Sequence, residues 1–166
     1  MNISRTIRYY YIRLIRLKGT PHSLALGSAL GVYIGITPTM PFHTILIFMF
    51  TIATRSSFIA GLITSWLVCN PITYIPQYYF STKIGNMVTP YELNWESIKE
   101  VLDVLLSDAS LRERLVAFMA MGYESVVVLI VGGCILAFPF AVASYYSSYF
   151  LFVKIRKKRI EKQVLH

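Results

Sequence analysis

Two short stretches of this sequence gather hydrogen-bonding side chains where a long apolar run is interrupted by proline. The first is Ile36-Thr37-Pro38-Thr39-Met40-Pro41, followed at once by His43 and Thr44. The second is Asn70-Pro71, followed by Thr73, Tyr74, Pro76 and Gln77. Proline has no N–H and restricts the residue before it, so each stretch releases backbone donors and carbonyls from helical bonding. Hydrocarbon tolerates such freed groups only where protein buries them or where they line a wet cavity. Membrane transporters build substrate sites from interruptions of this kind, with half-helix N-termini aimed at anions. Thr37, His43, Thr44, Asn70, Thr73, Tyr74 and Gln77 therefore form the candidate ligand pocket. Arg55, between the two runs, adds a planar fork suited to a phosphate. The plainer alternative is that these side chains only satisfy one another's broken backbone and that Arg55 only marks topology. On sequence alone both readings stand.

Other chemistry is poorly served. No acid lies within the apolar runs, which argues against a proton relay of buried carboxylates. His22 and His43 lie 21 residues apart without a carboxylate companion, so neither a metal nor another cofactor is expected. Cys69 and Cys134 sit inside apolar runs with no Cys-x-x-Cys spacing and read as small buried hydrophobes. There is no Gly-x-x-x-x-Gly-Lys loop, no His-Glu-x-x-His and no Gly-x-Ser-x-Gly elbow. An enzyme is not expected.

The elements that must position the pocket are three uncharged runs, Gly19–Thr54, Ser56–Thr82 and Ser125–Val153. With 55% hydrophobic and 14% charged residues, against about 25% charged in soluble domains, the composition is that of a membrane protein. One membrane domain over 19–153 is expected. Each run carries small residues four apart: Gly27, Gly31 and Gly35; then Ser57, Gly61, Ser65 and Cys69; then Gly133, Ala137 and Ala141. Residues at this spacing share one helix face and let another backbone approach closely, so the first two ladders should pack on each other. The halves of the first run, 23–36 and 42–53, are each about 20 Å long as helices, short of a hydrocarbon core of about 30 Å. Two geometries fit: one kinked spanning helix, or a hairpin that dips in and returns to the same side. Pro76 is expected to break the second run again, and Pro139 to kink the third.

The flanks carry the charge. Residues 1–18 read as a basic interfacial helix, with Ile3, Ile7, Tyr10, Leu14 and Leu17 on one face and Arg5, Arg8, Arg13 and Arg16 opposite. Residues 83–124 hold seven of the eight acids and read as an amphipathic surface insert, with Asn94 capping one short helix and Ser110-x-x-Glu113 opening another. Residues 154–166 are a basic tail behind Tyr145, Tyr146 and Tyr149. A net charge of +8 could suggest nucleic acid, but no soluble domain presents a groove for it. The cations are expected instead on the cytoplasmic side, against anionic lipid. Both termini are then cytoplasmic in a multi-pass chain. A returning hairpin would also put Arg55 there and leave 83–124 outside.

One ordered set of residues goes further. Gly19-Thr20-Pro21, Ala25-Leu26-Gly27, Gly31, Gly35, Pro38, His43-Thr44, Trp66 and Asn70-Pro71-x-Thr73 together resemble the domain-of-unknown-function family numbered 2062, small bacterial membrane proteins. The resemblance covers roughly Arg16 to Gly85; Pro41 departs from it, standing where glycine is more usual. It implies the bacterial inner membrane, and work near lipid-linked sugars or envelope polymers. It implies no activity and no catalytic residue. The expected fold is an all-α integral membrane protein, with broken or re-entrant helical hairpins, transmembrane helices and an N-terminal interfacial helix. The expected function is non-enzymatic: binding, or moving, an anionic lipid or lipid-linked headgroup, polyprenyl-linked lipids included. The alternative is a scaffold or accessory subunit for a glycosyltransferase or other envelope-synthesis enzyme, its ladders docking partner helices. Oligomeric state is left open.

Overall fold

Thr20 accepts the Ser23 N–H at 3.2 Å, and Pro21 fills a first-turn position whose N–H needs no partner, so the first helix starts there. This computed structural model describes residues 19–39, 42–94, 96, 98, 99, 110, 112, 116, 119 and 122–164. Its helices are α1 (Pro21–Ile36), α2 (His43–Ala53), α3 (Phe58–Val68), α4 (Pro71–Val88) and α5 (Gly122–Val164). The expected interfacial helix over 1–18, the Met40-Pro41 step and most of the insert between 95 and 121 lie outside the described residues.

The first proline break reverses the chain. Beyond α2, the Ser57 N–H donates to the Ser23 carbonyl at 3.0 Å, and the Ser23 hydroxyl reaches the Arg55 carbonyl at 3.4 Å. The end of α2 is thus brought back to the start of α1, which makes this run a hairpin and not a kinked rod. From there α3 runs parallel to α1 along the two ladders. A side chain on Gly27 would collide with the Ser57 carbonyl, and one on Gly31 with the Gly61 carbonyl and the Thr64 hydroxyl. Gly35 meets Ser65 less tightly, a Cβ there standing 3.3 Å from Ser65 Oγ. The Thr64 hydroxyl also donates across this seam to the Ser28 carbonyl at 3.0 Å.

α5 lies antiparallel to α1. Gly133 abuts Thr37 and Pro38 at the end of α1, Ala137 packs with Val32 and Ile36, and Phe152 joins Leu24 near its start. α4 takes the other half of α5, where Gly132 passes the Ser81 carbonyl and Gly85 the Val128 carbonyl. α1 is therefore the central helix, with ten buried residues, while α2 buries only Ile47 and Thr51 and is the outermost. One expectation needs correction. α4 runs through Pro76 without a break, and α5 is likewise one continuous helix across Pro139. A proline costs a helix one hydrogen bond, but its fixed φ near −65° is itself helical, and neighbouring helices hold the rod together.

By length and apolarity α5 can cross a membrane over Gly122–Lys157, and α3 with α4, bent by 91° at Cys69-Asn70, makes a second such segment. The all-α architecture and the apolar helices agree with a membrane protein.

The seam makes a graded prediction. Gly31→Ala must push one backbone away from another and should cost about 1–3 kcal/mol, the range for overpacking. Gly35→Ala meets mainly a serine side chain and should cost less. Thermal unfolding in detergent with both variants reads this order directly; equal midpoints would show that the seam is loose.

Candidate functional site

Both breaks reach the same place because α1 and α3 are parallel and end level with each other. The Cys69 thiol donates to the Gly35 carbonyl at 3.4 Å, tying the second break to the end of α1. Around this tie lies a small cavity of about 10 Å³, lined by Thr37, Thr39 and His43 of the first break and by Cys69, Tyr74, Gln77 and Tyr78 of the second. Beside it opens a groove of about 320 Å³ lined by His43, Trp66, Cys69, Asn70 and Tyr74. His43, Cys69 and Tyr74 belong to both. No Asp, Glu, Lys or Arg is among the lining residues of either.

Of the side chains singled out in the sequence, Thr37, His43, Tyr74 and Gln77 line the cavity and Asn70 the groove. Thr44 is exposed, its hydroxyl 3.3 Å from His43 Nε2. Thr73 lies on the other side of the break, where it borders an apolar groove with Val32, Ile36, Val68 and Phe80. Arg55 does not belong to the pocket. It occupies the turn between α2 and α3 with φ 51°, beside Ser23, at the opposite end of an 11-residue helix about 17 Å long. Tyr78, Cys69 and Trp66 are pocket residues that the sequence pattern does not single out. Tyr78 has a signal, standing one helical turn beyond Tyr74 and so on the same face.

Most of the polar side chains here are occupied with the broken backbone. Thr37 donates to the Tyr33 carbonyl at 2.8 Å, and Asn70 Nδ2 to the Leu67 carbonyl at 2.8 Å. The Thr73 hydroxyl accepts the Asn70 N–H at 3.0 Å and donates to the Val68 carbonyl at 2.6 Å; Gln77 Nε2 reaches the same carbonyl at 3.4 Å. These bonds close the last turn of α3 and the first of α4. They leave two ends unspent. His43 Nδ1 and the Tyr78 hydroxyl are sealed from solvent and have no hydrogen-bond partner in the protein. What the arrangement can do, then, is hold a small polar group in the cavity and present imidazole, indole, phenol and amide to the groove.

The chain belongs to the family described as an uncharacterized protein conserved in bacteria (DUF2062), whose model matches residues 4–161. The match takes in the insert and α5 as well as the broken runs, so it extends well beyond the segment that carries the sequence resemblance. No curated protein and no solved structure matches the chain.

Because Asn70 and Thr73 close the same break, Asn70→Ala and Thr73→Val should each lower stability by about 0.5–2 kcal/mol, the range for lost helix caps. The two losses should not add, since residues in one hydrogen-bond network couple. A double-mutant cycle on unfolding in detergent checks both statements; strict additivity would mean that the two caps act separately.

Proposed function

We propose that this protein is a non-enzymatic integral membrane protein whose two helix breaks meet at half-depth and bind the polar headgroup of a lipid. In this reading the α1–α2 hairpin enters from the cytoplasmic face and returns to it, while the bent pair α3–α4 and the long α5 cross. The helix lengths fit. α1 and α2, of 16 and 11 residues, are about 24 and 17 Å long, too short for a core of about 30 Å but long enough to reach its middle. The charges fit as well. Arg55 falls at the α1 start, level with Tyr145, whose hydroxyl lies 3.2 Å from His22 Nδ1, and Lys154, Arg156 and Lys157 lie about two to three turns further out along α5. Glu92, beyond α4, belongs to the opposite end.

The observation that carries the proposal is that His43 and Tyr74 border both the small cavity and the open groove. A ligand in the groove therefore touches the joint between two broken helices. The groove wall supplies neutral donors and aromatic faces without a cation, which suits the hydroxyls of a lipid-linked sugar better than a bare phosphate. Leu67 and Ile75, next in sequence to Trp66 and Tyr74, are exposed and offer apolar surface for the lipid tail. Such a ligand would place the protein in bacterial envelope polysaccharide metabolism, at the inner membrane. A second reading draws on the hydrogen bonds that close the second break: the joint is a rigid corner, and the protein a scaffold or accessory subunit for a glycosyltransferase or other envelope enzyme.

Two measurements test this. Single cysteines introduced at 55 and 92, in a background lacking Cys69 and Cys134, should label differently in intact cells. Position 92 should react at once and position 55 only after the membrane is opened; the reverse order would overturn the topology. Native mass spectrometry of the purified protein should show a retained sugar-bearing lipid whose occupancy falls about tenfold in Trp66→Ala, an expected loss of about 1.4 kcal/mol. A bare protein, or retention unchanged by the substitution, would favour the scaffold.

A further inference from the structure

We propose that the small cavity is a water site, and that the water in it fixes which nitrogen of His43 faces the lipid groove. Its volume, about 10 Å³, is the room one water needs, and a buried water also needs two to four polar partners. Two are at hand. Tyr78 is only 2% exposed, lines the cavity, and its hydroxyl has no partner in the protein; His43 Nδ1 is sealed in the same way. Left unmatched, each buried group would forfeit the hydrogen bond it makes in water, so a molecule satisfying both is strongly favoured. The apolar remainder of the wall, Ile34 and Pro38, contributes nothing to a larger ligand, and the volume excludes one.

The polarity of the site follows from which acceptors remain. Around the break the Tyr33, Gly35 and Val68 carbonyls already accept from Thr37, Cys69 and Thr73. Of the two groups without a partner, the Tyr78 phenol is the better donor and the lone pair of His43 Nδ1 the better acceptor. The Tyr78 O–H therefore donates to the water, the water donates to Nδ1, and the ring carries its proton on Nε2. That nitrogen lies 3.3 Å from Thr44 Oγ on the exposed side. In a histidine, the hydrogen bond made by one ring nitrogen decides the state of the other. The water thus turns His43 into a fixed donor toward the groove, suited to an oxygen acceptor such as a sugar hydroxyl or a phosphate oxygen. That last use rests on the headgroup reading; the water lock does not. Tyr78 acts as a positioning residue, reaching the groove only through the water and the ring.

The test is magic-angle-spinning NMR of the full chain, labelled with ¹⁵N-histidine, in lipid nanodiscs at alkaline pH, where the ring is neutral. His43 should show protonated Nε2 over protonated Nδ1 by roughly ten to one, the ratio maintained by one hydrogen bond of about 1.4 kcal/mol. A water-to-imidazole cross-peak should persist. In Tyr78→Phe both the cross-peak and the tautomer preference should fall, while Tyr74→Phe keeps them. A proton on Nδ1 in the unaltered protein, no water cross-peak, or a tautomer unmoved by Tyr78→Phe would overturn the proposal. Should Tyr78→Phe not fold, the unaltered protein's tautomer and cross-peak decide alone. With nanodiscs of phosphatidylcholine alone, which carries no sugar, its failure is separable from failure of sugar-lipid retention.

Discussion

Where Gly31 passes Gly61, two helix backbones touch with no side chain between them, and the placement of the remaining helices follows from that contact. For helices that span a membrane there is little hydrophobic force between them, and close packing and interhelical hydrogen bonds take its place. The glycine seam supplies the first, and the Thr64 bond to the Ser28 carbonyl the second. Running α3 parallel to α1 requires the intervening chain to travel back to its start. α2 is that return path, which explains why it is the most exposed helix and buries only Ile47 and Thr51. The hairpin is a consequence of the seam.

The same logic is repeated on α5 with a change of partner. Gly132 and Gly133 are neighbours in sequence and point about 100° apart on the helix, so one meets α4 at Ser81 and the other meets the end of α1 at Pro38. This pair of glycines lets two elements close on one helix at the level of the breaks. It also explains how a 91° bend between α3 and α4 is held without a second hairpin: α4 leaves the seam and lies along the opposite half of α5. Deleting side chains at the crossing is what lets both elements approach α5 so closely.

Much of this is legible in spacing. Small residues at every fourth position, proline breaks and the absence of charge are local signals, and they locate the ladders and the joint. The α4–α5 seam is harder to see because Ser81 and Gly85 form a ladder of only two steps, hidden behind Tyr78 and Phe80. Arg55 looks like a pocket residue because it lies between the two breaks in sequence. Parallel helices put breaks at one end and turns at the other, and sequence distance does not say which end a residue occupies. Pro76 looks like an interruption, yet α4 continues through it, the fixed φ of proline being itself helical. The basic lead over 1–18 and the insert lie largely or wholly outside the described residues, so their expected surface helices stay expectations.

The parallel pairing also fixes the electrostatics of the joint. α1 and α3 both end there, each bringing the negative end of its dipole, roughly half a charge. α2 and α4 both begin there and bring the positive ends. Two of each sign meet within one small region, so the fields largely cancel, and the first turn of α4 starts on Pro71, which has no N–H to offer. A site built from one inward-pointing N-terminus would attract anions; this one does not have that bias. With no cation in its wall either, any selectivity must come from hydrogen-bond geometry and aromatic contact. In a neutral joint the side of the His43 ring that carries the proton sets whether the imidazole offers a donor or an acceptor beside the indole, phenol and amide of Trp66, Tyr74 and Asn70. Tyr78, buried behind it, is placed to control that choice.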